Sequence, residues 1–192
     1  MKPEEIHTYQ GDSDEIVAKA VSLRSRGNIG IAYTYNEPSI WYEFVYETAE
    51  KAKEKDLMNV LVTNGYIEEE PLMRILPYID AMNIDLKAYN ETFYRDLVKG
   101  DLEKVKETIS RSARRCHVEV TTLIIPGLND SREEMEDMCG WLASLSPELP
   151  LHLSRYFPKY EMTDRPPTPL GTLLELKRIA ERHLKYVYLG NI

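Results

Sequence analysis

The feature that most constrains this chain is a layout repeated five times: a short apolar run stops abruptly in polar residues, and a helix-like or turn-like segment follows. It occurs at GIAYTYNEP (30–38), LVTNG (61–65), MNIDLK (82–87), VTTLIIPG (120–127) and LHLSRYFP (151–158). Strands separated by helices of this length must run parallel, and parallel sheets form either open doubly wound sheets or barrels. The dinucleotide-binding glycine fingerprint is missing, and polar residues end nearly every strand, so the pattern favours a (β/α) barrel with its active rim at the strand C-termini. A full eight-fold barrel takes ~250 residues. With 192 residues and about six countable strands, the expected fold is α/β: a partial, open, TIM-like (β/α)6-type barrel of parallel strands. The chain opens with a helix that no strand precedes, which reads as an incomplete first βα unit and leaves residues 30–38 as an exposed edge through which the chain self-associates.

Composition narrows the function. The chain is 43% hydrophobic, which excludes disorder. Its 32 acidic against 24 basic residues give a net charge of −8, which repels a phosphate backbone, and Arg111, Arg114 and Arg115 read as cations at a helix C-terminus, so no nucleic-acid partner is expected. No apolar run approaches the ~20 residues of a membrane span, and the start, MKPEEIHTYQ, has no secretory pattern. The expectation is a cytoplasmic protein without a membrane partner. Cys116 and Cys139 are far apart and read as two reduced thiols, building neither a disulfide framework nor a four-ligand metal site.

Along the chain, Asp12 or Ser13 is placed to cap a helix carrying Ile16, Val17, Ala20 and Val21, and Gly27 to end it. A helix from Ser39, one from Asp101, one from Ser131 with Met135, Met138 and Leu142 inward, and one with Leu170, Leu173, Leu174 and Ile179 inward follow by the same periodicity. A last strand, KYVYLGN, closes the chain. No linker divides it, so residues 1–192 read as one domain.

Taken in order and spacing, YTYNEP, VTNGY, NIDLKAYNE, TTLIIPGLND and HLSRYFPKY resemble the radical S-adenosylmethionine (SAM) enzymes. The resemblance is to the branch similar to pyruvate formate-lyase activating enzymes, and within it to the radical SAM member of the AmmeMemoRadiSam set. It covers roughly residues 14–191 and implies SAM and a [4Fe-4S] cluster held by a CxxxCxxC loop, with reductive cleavage of SAM to a 5′-deoxyadenosyl radical. It also implies a reductant protein and a protein or small-molecule substrate, for example a glycyl radical enzyme or other partner to be activated. This chain has no CxxxCxxC. It therefore reads as a core truncated at its amino terminus, with a second expectation of truncation at its carboxyl terminus, inactive alone and holding no cluster.

Carried over residue by residue, the resemblance gives Glu37 the SAM ammonium, with Asn36 beside it; a helix-start carboxylate is the alternative. Thr63 and Asn64 lie against the ligand, or simply form a turn with Gly65. Asp85 and Lys87 alternate and so share a side, and the lysine matches the one that reaches the SAM carboxylate. A Schiff-base lysine of an aldolase or lyase, or an ion pair without a task, are the alternatives. Thr121 and Leu123 flank the adenosine, and Phe157 stacks on adenine or packs. His7, His117, His152 and His183 are scattered and receive no chemistry. A non-catalytic scaffold whose SAM pocket serves partner binding is the remaining alternative.

Overall fold

The computed structural model describes residues 11–192; His7 lies outside them. Helix α1 (Ser13–Ser22) precedes strand β1 (Gly30–Tyr33), and then come α2 (Tyr42–Glu54), β2 (Met58–Thr63), α3 (Glu69–Ile75), β3 (Ala81–Asp85) and the single turn α4 (Glu91–Phe93). The rest is α5 (Leu102–Ser112), β4 (His117–Ile124), α6 (Arg132–Leu145), β5 (Leu151–Arg155), α7 (Leu170–Ala180) and β6 (Val187–Gly190). All six strands pair in parallel in sequence order, β1 to β6. Parallel connections are right-handed, so an order without reversal puts the crossover helices on one face and leaves the other free to curl inward. This is the partial, open α/β barrel expected, with β1 at one edge and β6 at the other.

Local chemistry explains the elements. Asp12 caps α1 through the Glu15 N–H, Asp101 caps α5 through the Glu103 N–H, and Ser131 caps α6 through the Glu134 N–H. Gly30 is required where β1 meets β2, because a β-carbon there would come 2.1 Å from the Met58 carbonyl oxygen. The core sits between the sheet and its helices: Leu61, Ile84, Val120, Ile124, Leu151 and Leu153 face Leu72, Ile109, Met138, Leu142 and Leu173, all buried. Each such side chain contributes about 1.5–3 kcal/mol by leaving water.

Two readings are corrected. α1 ends at Ser22, and Gly27 (φ +90°) closes a separate 3-10 turn, Arg24–Arg26. In α7 the inward stripe is Leu173, Leu176, Ile179 and Ala180, with Leu170 and Leu174 half exposed: both leucine phases satisfy a helical period, and only the angle at which α7 meets β5 and β6 decides between them. Among the described residues, no helix is long and apolar enough to cross a membrane.

Candidate active site at the barrel mouth

Period-2 alternation sends Met82, Ile84 and Leu86 to the helices and Asn83, Asp85 and Lys87 to the concave side. Lys87 Nζ donates to Asp85 Oδ2 at 2.8 Å in a half-exposed ion pair. Asp85 lies level with Thr121 on β4. Asp85, Lys87, Thr121 and Leu123 line one cavity of about 390 Å³, whose apolar wall is Phe93, Leu97, Val98 and Ile125. A volume of this order, roughly 300–1,000 Å³, takes a small organic ligand.

The backbone under Lys87 is fixed by groups that the sequence reading missed. Its N–H donates to Tyr94 Oη at 3.1 Å, and its carbonyl accepts from Asn129 Nδ2 at 2.7 Å. Asn129 also donates to the Leu123 carbonyl at 2.8 Å and accepts the Ile125 N–H at 2.7 Å, stitching the ends of β3 and β4 together. Burial pushes the Tyr94 phenol up to about 12, so it stays protonated. The PGLND turn was the available signal, since a buried asparagine at a turn is one that satisfies backbone groups.

Glu37 belongs to a second, adjoining group. Its Oε1 accepts from Thr63 Oγ1 at 2.6 Å and from the Ser39 N–H at 3.2 Å, and its Oε2 accepts the Asn64 N–H at 2.7 Å. The carboxylate thus caps the 3-10 turn Pro38–Trp41 leading into α2 and ties the end of β1 to that of β2. The Asn64 side chain accepts the Tyr66 N–H at 2.8 Å, closing its own turn. Gly65 follows at φ +72°, where a β-carbon would come 2.7 Å from Ile84. Asn36 is exposed beside Glu37. Phe157 stands apart at the end of β5, with the Arg155 guanidinium 4.8 Å above its ring.

The histidines are not all scattered. His117 and His152 meet on Glu119 of β4, through Nε2 at 3.1 Å and 2.7 Å, while His183 bonds Glu136 on the outer surface. Sequence spacing could not show this, because the β4–β5 register creates the first pairing.

Residues 3–142 match the Radical SAM superfamily. The chain belongs to the radical SAM superfamily. It is 44% identical over 193 residues to an uncharacterized protein of Methanocaldococcus jannaschii, covering 99% of this chain and 56% of that one. It is 27% identical over 111 residues to the 4-hydroxyphenylacetate decarboxylase activating enzyme of Clostridium scatologenes, covering 54% and 34% of the two chains. The chain thus spans about half the length, or less, of these curated relatives. In fold it matches a domain of pyruvate-formate lyase-activating enzyme from Bacteroides vulgatus, with TM-score 0.71, 19% identity, and coverage of 84% of this chain and 99% of that one. It also matches Streptococcus suis SuiB bound to S-adenosylmethionine, with TM-score 0.74, 10% identity, and coverage of 97% and 44%. The radical SAM family implies SAM and a [4Fe-4S] cluster, and the two fit these residues differently. The mouth cavity offers a cation, Lys87, and a carboxylate, Asp85, which suit a small zwitterionic nucleoside, while Glu37 stands outside it, two strands away. The cluster has no counterpart: Cys139 is buried in α6 with its thiol pushed up to about 12, and Cys116 precedes β4 at the end opposite the mouth, pushed up by burial to about 11. Two thiols on separate elements do not make a cluster site.

Proposed function

We propose that these 192 residues are one domain, the SAM-holding core of an activase-like radical SAM enzyme. The observation that carries the reading is the Asp85–Lys87 ion pair set beside Thr121 and Leu123 in the mouth cavity. Lys87 offers an ammonium to the SAM carboxylate, and Asp85 keeps that ammonium in place. Glu37 offers its remaining lone pairs to the SAM ammonium from beyond the end of β1, two strands away, next to Asn36, Thr63 and Asn64. Thr121 and Leu123 flank the nucleoside, and Phe157, outside the cavity at the end of β5, is the residue assigned to stack on adenine. A Schiff base needs a free amine, and the paired ammonium of Lys87 favours electrostatic binding over that alternative.

A cluster held beside SAM would supply the family's chemistry, reductive cleavage of SAM to a 5′-deoxyadenosyl radical for use on a protein or small-molecule substrate, with electrons from a reductant protein. Cys116 and Cys139, on separate elements, do not form the three-thiolate loop that such a cluster would need. The test is the full-length protein, reconstituted anaerobically and reduced with dithionite, with 5′-deoxyadenosine measured. Lys87→Ala should lower its formation at least tenfold at subsaturating SAM, the loss of one charge-assisted bond of about 1.5–3 kcal/mol. Unchanged formation would sink the assignment.

A further inference from the structure

Beside the mouth cavity, the concave face carries polar groups for which the SAM site has no use. Glu119 on β4 accepts Nε2 of His152 on β5 at 2.7 Å and Nε2 of His117 at 3.1 Å. The His152 ring stacks on Tyr188 of β6, with centroids 5.3 Å apart and planes at 28°. Strand pairing sets Asp85, Thr121, His152 and Tyr188 level with one another across four strands, so the row leads directly out of the mouth cavity. One step nearer the mouth, β5 and β6 carry only Ser154 and Gly190, in register, and a β-carbon on Gly190 would come 2.9 Å from Ser154 Oγ. These small residues leave the rings beneath them open: Tyr188 is 49% exposed and the His152 side chain 31%.

An ionised carboxylate only accepts hydrogen bonds, so both Nε2 atoms carry their protons. Burial by itself raises the Glu119 carboxyl, but the hydrogen bonds from His117 and His152 outweigh it and hold it below the usual carboxylate range. Nδ1 of a neutral His152 is then an acceptor, and among the described residues no protein donor is recorded on it. Carboxylate, imidazole acceptor and phenol face together attract a cation that donates hydrogen bonds and repel an anion. The other charges near the row do not reverse this, because Lys87 is already paired with Asp85. Among the described residues, no three His, Cys, Asp or Glu side chains are arranged to hold a metal.

We propose that His152, anchored by Glu119 and flanked by Tyr188, is a subsite for an alkylammonium group beside the mouth cavity, level with Asp85 and Thr121. The site stands on this geometry; that its ligand is the enzyme's substrate, a small amine or a lysine-bearing peptide, rests on the radical SAM reading.

The test is NMR of the 192-residue chain with labelled histidine and tyrosine, titrated with n-butylammonium, n-butanol and butyrate. Butylammonium should shift the His152 and Tyr188 ring signals saturably at millimolar concentration, as befits so small a ligand. Butanol should do so more weakly and butyrate not at all, while His183 stays still. Glu119→Gln should weaken the butylammonium effect about fivefold, and Tyr188→Leu, which spares the carboxylate, about threefold, the size of one exposed cation–π contact. An acetylated lysine tripeptide binding tenfold tighter than butylammonium would mark a peptide source, and equal affinity a small amine. Butyrate shifting His152 as strongly as butylammonium, His183 moving equally, or both variants binding like the parent would overturn the proposal. No SAM or reductant is present, so failure here and failure of the SAM assignment are separate results.

Discussion

The two faces of this sheet are made from the same strands and have opposite characters. Toward the helices, Ile84, Val120, Ile124, Leu151 and Leu153 are all 0% exposed. Toward the concavity, alternate residues of the same strands are Asp85, Glu119, Thr121, Leu123, His152 and Tyr188, half exposed and largely polar. A parallel sheet buried on both faces reads as continuous apolar runs, so polar alternation in parallel strands marks a face kept open for a ligand. One face holds the fold, and the other carries the exposed polar groups.

Substitutions on the two faces should separate most clearly. Ile84→Ala should cost about 2–5 kcal/mol in urea unfolding, because a cavity adds to the lost burial. Leu123→Ala, 40% exposed on the concave side of β4, should cost under about 0.5 kcal/mol. Equal costs would mean that the concave face is covered. The next contrast lies at the mouth itself. Asn129→Ala strands two carbonyls and an N–H, and should cost about 3 kcal/mol. Asn83→Ala, which loses one bond to Thr121 at 2.9 Å, should cost about 1 kcal/mol or less. Glycines give a smaller pair: Gly65→Ala, at φ +72° and against Ile84, should destabilise by about 1–2 kcal/mol, whereas Gly140→Ala, with open space within α6, should stabilise by up to about 1 kcal/mol.

Titration sharpens the contrast from both ends of the pH scale. On the sealed side, burial raises the Cys139 thiol to about 12 and the Cys116 thiol to about 11, from 9.0. The folded state then keeps protons that the unfolded state gives up, so this stability is whole below pH 9 and drains away as pH rises toward 11 and 12. Cys139→Ala should flatten that alkaline decline, read as denaturation midpoint against pH. On the open side, Glu119 sits below its ordinary 4.5, so its contribution is present above that value and lost as pH falls through the lowered one. Glu119→Gln should remove a small part of the acid loss. An alkaline decline unchanged in Cys139→Ala would contradict the burial ascribed to that thiol.

Much of this was legible in the sequence. The strand–helix alternation fixed the class, and period 2 placed Asp85 and Lys87 together, as the ion pair shows. Thr121 and Leu123 joined them because β3 and β4 are both readable as strands with polar ends. What the sequence hid depends on register and angle. His152 meets Glu119 only because Val120 pairs with Leu151, a stagger that no spacing within one strand encodes. Asn129 and Tyr94 act on the backbone of Lys87 from loops whose path a linear pattern does not give. Glu37 shows a different limit: its motif suits both a ligand carboxylate and a helix-start cap, and the cap is what its geometry displays. Self-association through the β1 edge, the other consequence drawn from the pattern, would show as concentration-dependent sedimentation that Ala32→Lys, a charge placed on that strand, abolishes.

The SAM site proposed at the ends of β1 and β3 is tested most directly by calorimetry. Without iron to chelate its methionyl group, Glu37 and Lys87 act by hydrogen bonds worth about 1.5–3 kcal/mol each, partly offset by ordering a flexible ligand. Calorimetry of SAM with this chain should give a dissociation constant in the high micromolar to millimolar range, roughly 4–6 kcal/mol. Glu37→Gln and Lys87→Ala should each weaken it severalfold, while Glu69→Gln, paired with Arg111 at the exposed start of α3, leaves it unchanged. Tight binding in all four proteins, or no difference between Lys87→Ala and Glu69→Gln, would contradict the account.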